Sequence, residues 1–190
     1  MCNRLCTNCA RGETAKTVCL WGKSVEPQCK LMVVAEMPSQ EDDTKGEPFS
    51  GDNLVKDVFS LAMNVPLDDI YFTYLVKCFG GAGTKTTQNE ISACYSYLVD
   101  EIVAVNPEVV VCLGENAFNF LCGDKGIAKK HGMPYELSLK SFGIDKTVDI
   151  IPTFAAGYIA HNDNKLKDFA EDLSAAYDLS RGGSVQKGIS

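Results

Sequence analysis

No apolar run in the chain approaches the roughly 18 residues that a membrane-spanning helix requires, so bilayer insertion is set aside. Nor does an apolar signal segment follow Met1, and the nine cysteines are an odd number, which fits a secreted disulfide framework poorly. A reducing cytoplasm with metal-ligating thiolates fits better. Basic residues are scarce as well: 18 Lys and Arg against 25 Asp and Glu leave a net charge of −7. A polyanion usually calls on clustered cations to displace its counterions, so any contact with DNA must be local. The candidates are Lys129, Lys130 and His131, with Lys165 and Lys167 as a second basic pair. There is no internal repeat. At 190 residues and 45% hydrophobic content the chain can bury one sizeable core, and a single domain over 1–180 with a flexible 181–190 tail is expected.

What is present is an alternation of patterns. Short apolar runs at Lys30–Ala35, Ile70–Val76, Val109–Leu113 and Val148–Thr153 read as buried strands. Between them, apolar residues recur at helical intervals: Leu54, Val58 and Leu61; Ile91, Tyr95, Leu98 and Ile102; Ala117, Phe118 and Leu121; then Leu166, Phe169 and Leu173. Alternation of this kind predicts an α/β fold, a three-layer α/β/α sandwich around a mostly parallel four-stranded sheet. Ligands of such sheets gather at the carboxyl ends of the strands, where the loops from Glu36, Lys77, Gly114 and Phe154 converge.

Cys6-x2-Cys9 and the pair Cys78 and Cys94 offer four thiolates, enough for a tetrahedral zinc site or an iron–sulfur cluster. Spacing alone leaves iron and zinc open. Cys2, Cys19, Cys29, Cys112 and Cys122 read as spare thiols or core residues, since free cysteine buries readily.

Several segments together resemble the iron–sulfur, or family 4, uracil-DNA glycosylases. Ala35-Glu36-Met37-Pro38-Ser39 stands where that family has G-E-A-P-G, and Gln40 to Phe49 keeps the spacing of x-x-E-D-x-x-G-x-P-F. Tyr71-Phe72-Thr73-Tyr74-Leu75-Val76-Lys77-Cys78 is similar to Y-I-T-N-V-V-K-C, and the segment from Pro107 to Ala117 to P-x-x-I-V-x-L-G-x-x-A. The resemblance implies a [4Fe–4S] cluster on Cys6, Cys9, Cys78 and Cys94, and DNA as partner. It further implies a monomeric cytoplasmic, nucleoid-associated enzyme that flips a base out of the stack and hydrolyses its N-glycosidic bond. Phe49 matches the stacking aromatic. Glu36 matches the acid beside the glycosidic bond, with Asp42 and Asp43 as alternatives.

Two departures matter. Where the family reads the uracil edge with Asn, this chain has Tyr74, and where it has His-Pro-[Ser/Ala], it has Ala155-Ala156-Gly157. Loss of a group that stabilises developing charge costs on the order of 10²–10³ in rate, and loss of an acid–base group roughly 10²–10⁴. Excision of plain uracil is therefore expected to be weak or absent. A small-residue wall beside a retained Phe49 predicts a larger base, such as a pyrimidine carrying a sugar, as in some phage DNA, with a role in antiviral defence. His161, at the position of a family Arg, is a candidate phosphate contact or displaced catalytic imidazole, and Asn162 a candidate DNA contact. The alternative is a catalytically inactive DNA-binding or replication-accessory protein on the same scaffold.

Overall fold

The computed structural model describes residues 4–23, 29–51 and 54–183. Five strands form one sheet in the order β2-β1-β3-β5-β4. They are β1 (Leu31–Ala35), β2 (Ile70–Tyr74), β3 (Val109–Leu113), β4 (Tyr135–Ser138) and β5 (Thr147–Thr153). The first three and β5 run parallel, in register pairs such as Leu31 with Ile70 and Val109 and Val109 with Asp149. The fifth strand corrects the expected count of four: β4 pairs antiparallel at the edge. It is four residues long and only Leu137 is buried, so it has neither the apolar run nor the length that marks a strand in sequence.

The β-strand period of two divides the core. Met32, Val34, Val110, Cys112 and Ile150 face one way, onto α4 (Gln88–Val105) and α5 (Glu115–Cys122) through Ile91, Leu98, Ile102 and Phe118. Leu31, Val33, Val109, Val111 and Ile151 face the other way, onto α8 (Leu166–Ser180) through Phe169, Leu173 and Ala176. On that second face also lie α3 (Leu54–Asp57) and the π-helical turn Val58–Ala62. The three layers are those the alternating sequence pattern predicts.

Short helices decorate the loops: α1 (Arg11–Thr14), α2 (Gln40–Lys45), α6 (Ile127–Lys130) and α7 (Ala156–Ile159). Ser39 and Asp42 start α2 as a reciprocal capping box, and Gly46 ends it in the left-handed conformation. Gly114 sits between β3 and α5 at φ +88°, and a side chain there would come within 3.0 Å of the Ala155 Cβ. The turn after β3 therefore lies directly against the loop after β5. Among the described residues no helix is long and apolar enough to cross a membrane. Of the expected 181–190 tail, residues 181–183 close a turn after α8 and 184–190 lie outside the described residues.

Candidate active site

The carboxyl ends of the strands hold a cavity of about 330 Å³ whose lining includes Glu36, Met37, Phe49, Tyr74, Leu113 and Ala155. That size lies at the small end of ligand pockets and suits a single ring system. Lys77, by contrast, does not line it; the side chain is fully buried.

One side of the cavity is organised by Tyr74 at the end of β2. Its hydroxyl accepts the Phe49 N–H at 2.7 Å and donates to Asp42 Oδ2 at 2.8 Å. Its ring lies nearly parallel to that of Phe49, with centroids 5.1 Å apart and an interplanar angle of 23°. Phe49 is also tilted against Phe72 at 5.1 Å. The Phe49 backbone takes φ +53°, a left-handed conformation that a bulky residue adopts at a cost, and the hydrogen bond to Tyr74 holds it there.

Asp42 ties the same loop from the other side. Its Oδ1 accepts the Ser50 N–H at 2.7 Å and the Ser50 hydroxyl at 3.1 Å; its Oδ2 also accepts the Ser39 N–H at 2.8 Å. Burial acts to raise its carboxyl, yet the Ser39 N–H, the Tyr74 and Ser39 hydroxyls and the Ser50 N–H together hold it below the ordinary aspartate value. Asp42 thus lines the cavity as an ionised anchor with its acceptor positions filled. Asp43 points elsewhere: it accepts the N–H groups of Lys16 at 3.1 Å and Thr17 at 2.8 Å, fastening the amino-terminal segment to α2.

Among the described residues, Glu36, just past β1, is the carboxylate at the cavity with room to act. Asn116, in the first turn of α5, donates from Nδ2 to Glu36 Oε1 at 2.9 Å, which fixes the carboxylate's direction and leaves Oε2 for a further partner. Asn116 was not among the sequence candidates. A polar side chain in the first turn of a helix that starts at a strand's carboxyl end was its only signal. Opposite, Ala155, Ala156 and Gly157 form the wall of small residues.

The remaining candidates lie apart from the cavity lining. His161 is exposed beyond α7, and Asn162 donates to the Tyr158 carbonyl at 2.8 Å. Lys129 is exposed, while Lys130 pairs with Asp124. His131 is engaged internally: Nδ1 lies 2.9 Å from Asp172 Oδ2, which also accepts from the Thr153 hydroxyl at 2.6 Å, and the ring packs on Phe154 with centroids 4.6 Å apart. Burial raises the Asp172 carboxyl, with Thr153 and His131 opposing.

The four candidate cysteines come from three segments: Cys6 and Cys9 near the amino terminus, Cys78 just past β2 and Cys94 on α4. Cys78 and Cys94 are buried, Cys6 and Cys9 partly so. The Cys19 N–H donates to Cys78 Sγ at 3.2 Å, and the Tyr97 hydroxyl to Cys6 Sγ at 3.4 Å. Burial raises the Cys78 thiol, with Cys9 and Cys6 adding to the shift; burial pushes Cys94 up to about 11, with Cys9 and Cys78 adding. The sulfurs therefore sense one another. Yet among the described residues no three His, Cys, Asp or Glu side chains draw close enough to hold one metal ion. A lone zinc needs every sulfur about 2.3 Å from one point. A multi-iron cluster, whose irons sit at separate corners, accepts a more open ring, and N–H donors to its sulfurs are part of how such centres are tuned. Of the other cysteines, Cys29 and Cys112 are buried thiols outside any disulfide and Cys122 is partly buried; Cys19 is buried but disulfide-bonded, not a spare thiol. Cys2 lies outside the described residues.

Fold and site together define an α/β protein with a ring-sized, aromatic-walled pocket and a fixed carboxylate at the carboxyl ends of parallel strands. Residues 23–177 match the uracil DNA glycosylase superfamily, and the chain belongs to that superfamily. It is 26% identical over 160 residues to a type-4 uracil-DNA glycosylase of Sulfurisphaera tokodaii, covering 80% of this chain and 71% of the relative. To a type-4 uracil-DNA glycosylase of Thermotoga maritima it is 30% identical over 152 residues, 77% of this chain and 76% of the relative. A DNA polymerase of Bacillus phage SP01 is 25% identical over 117 residues, which cover 60% of this chain and 13% of the polymerase.

Proposed function

We propose that the protein is a DNA glycosylase that hydrolyses the N-glycosidic bond of a flipped, modified base other than uracil. The observation that carries this is Tyr74: its phenol is bonded to Phe49 and Asp42, so at the position where relatives are expected to read a base edge no amide is offered. Ala155, Ala156 and Gly157 add volume on the opposite wall. A pocket altered in both places suits a base recognised by shape and substituent. A bulky modified cytosine such as glucosylated hydroxymethylcytosine of phage DNA fits, and would make the enzyme an antiviral one.

In this reading Glu36, aimed by Asn116, orients a water toward the anomeric carbon. The water oxygen bonds to that carbon, the carbon–nitrogen bond breaks, and the base leaves with the bonding pair and takes up a proton. The sugar passes through an oxocarbenium-like state that the Glu36 carboxylate stabilises. Phe49 and Tyr74 form the aromatic wall for the flipped ring. Cys6, Cys9, Cys78 and Cys94 would hold a [4Fe–4S] cluster, which would tie the amino-terminal segment to α4. Hydrolysis moves no electrons, so the cluster's part is structural.

The test is a panel of DNAs carrying uracil, other deaminated bases, hydroxymethylcytosine and its glucosylated form, scored for alkali-labile abasic sites on protein of measured iron content. Product from the bulky base well above that from uracil is expected. Absence of product across the panel sinks the enzyme reading, and absence of iron removes the cluster from it. The phage polymerase relative favours one other reading, a DNA-binding module that serves replication without chemistry. It predicts DNA binding unaffected by Glu36→Ala and no abasic product from any substrate.

A further inference from the structure

Met37 lines the cavity directly after Glu36, and the proline that follows it, Pro38, disfavours helical backbone at Met37 itself. Methionine is ordinarily the adaptable member of an apolar wall, an unbranched side chain that turns to fill whatever gap it meets. Here its sulfur has partners. The Arg11 guanidinium donates from Nη1 to Met37 Sδ at 2.9 Å, and the Thr86 hydroxyl lies 3.7 Å from the same atom.

Arg11 has little freedom to give way. Its Nε and Nη2 hold the two carboxylate oxygens of Glu90 at 2.7 and 3.1 Å, Nη2 also donates to the Lys85 carbonyl at 3.0 Å, and the residue is 4% exposed. The backbone of Gly80 presses on the same group, since a Cβ there would fall 2.0 Å from Arg11 Nη1. A planar fork with its other donors engaged presents its last one in a fixed direction. The thioether that meets it is therefore held, and a wall of the cavity that would otherwise flex is set by a buried cation from α1.

We propose that Met37 is the residue that confines the pocket to single-ring bases and that Arg11 is its positioning residue; the proposal rests on the glycosylase reading above and assigns the side chains that set the size limit of its base. Met37→Ala removes Cγ, Sδ and Cε, as many atoms as a purine adds to the ring of a pyrimidine. A methionine free to swing would yield to the larger base. One pinned at its sulfur does not.

The experiment measures equilibrium binding of the full chain, carrying Glu36→Gln to slow turnover, to duplexes with one mispaired 5-hydroxymethylcytosine or one mispaired hypoxanthine, since a mispair lowers the cost of extruding either base. Met37→Ala, Met37→Leu, Arg11→Lys and the double variant Arg11→Lys with Met37→Leu are compared with that parent. Arg11→Lys keeps a cation for Glu90 but loses the fork that also reaches the sulfur. The parent is expected to prefer the single-ring base by about tenfold or more. Met37→Ala should bring the ratio close to one by gaining affinity for hypoxanthine. Arg11→Lys should lower the ratio in the Met37 protein but not in the Met37→Leu protein, where no sulfur is left to hold. A parent without preference, or a ratio unchanged in Met37→Ala, overturns the proposal. So does an Arg11→Lys effect that weakens both duplexes equally or persists in the Met37→Leu background, which marks Arg11 as a support of the fold alone. Should Arg11→Lys fail to fold, judged by circular dichroism, Met37→Ala still decides the size limit. Abasic product is scored in parallel on the Glu36 protein. Ratios that behave as expected without product keep the size limit and remove the glycosylase reading; product with a ratio indifferent to Met37 does the reverse.

Discussion

Tyr74 does two jobs with one side chain. Its ring walls the pocket, and its hydroxyl satisfies a buried backbone N–H while completing the shell around Asp42. Tyr74→Phe keeps the ring and deletes the hydroxyl, leaving the Phe49 N–H without its acceptor. The expected loss is about 1–3 kcal/mol of unfolding free energy, read by chemical denaturation, because a stranded buried donor costs its full desolvation. A stability equal to that of the parent protein would show that the loop does not depend on the phenol. In the sequence, Tyr74 stood out only as a departure from a resembled motif. Its partnership with Phe49 depends on a left-handed backbone at a non-glycine residue, and no local pattern announces that. Asp42 illustrates the same limit: its acidity made it a catalytic candidate, whereas five hydrogen bonds, including one of 3.4 Å from the Gly51 N–H, tie it into the loop. Glu36 was legible from its place after β1, but the amide that aims it comes from another strand-to-helix turn, 80 residues away in sequence.

Elements were easier to foresee than their couplings. The four parallel strands and the helices α4, α5 and α8 follow from runs and periods, because burial on both sheet faces writes itself into composition. The short α1 and α6 left no such trace. Yet α1 carries a decisive contact: the Arg11 guanidinium, buried, grips Glu90 with Nε at 2.7 Å and Nη2 at 3.1 Å, and reaches the Met37 sulfur at 2.9 Å. Glu90 at the same time closes the Thr87 capping box of α4. The Arg11 hydrogen bond and the Thr87 donors hold the Glu90 carboxyl down to about 2, against an ordinary 4.5. A depressed carboxylate contributes stability that is fully present above the unfolded value and lost as pH falls through the folded one. Stability should therefore decline between about pH 4.5 and 2, and Arg11→Ala should flatten that limb of the denaturation midpoint against pH. An unchanged acid limb in Arg11→Ala would place the acid sensitivity in another group.

At the scale of the whole molecule, a fully buried polar network joins parts that are distant in sequence. Glu101 of α4 accepts from Thr73 and Tyr71 on β2, from the Gly22 N–H at 2.8 Å, and from the Lys77 ammonium, which also donates to the Thr73 hydroxyl at 2.7 Å. The network lies between the strand that ends at the pocket and the helix that carries Cys94. Lys77→Met leaves the Glu101 carboxylate buried without its counter-ion, and a loss of about 3–5 kcal/mol is expected. The double variant Lys77→Met with Glu101→Gln should recover part of it, since no charge is then stranded. If the double variant is no more stable than the single one, packing and not charge accounts for the loss. Nothing in the sequence pairs the two residues, because 24 positions separate them.

The two margins of the sheet differ in construction but have a common effect. On the β2 side Lys23 forms an isolated antiparallel bridge to Phe72, placing a charged residue against the strand. On the other side β4 is four residues long, runs against its neighbour, and turns Glu136 and Ser138 outward. Among the described residues, neither margin presents a long, flat, apolar ladder of unpaired amides to a passing extended chain. A pocket at the strand ends of a DNA glycosylase relative is thus carried on a sheet whose described rims discourage recruitment of an extended polypeptide.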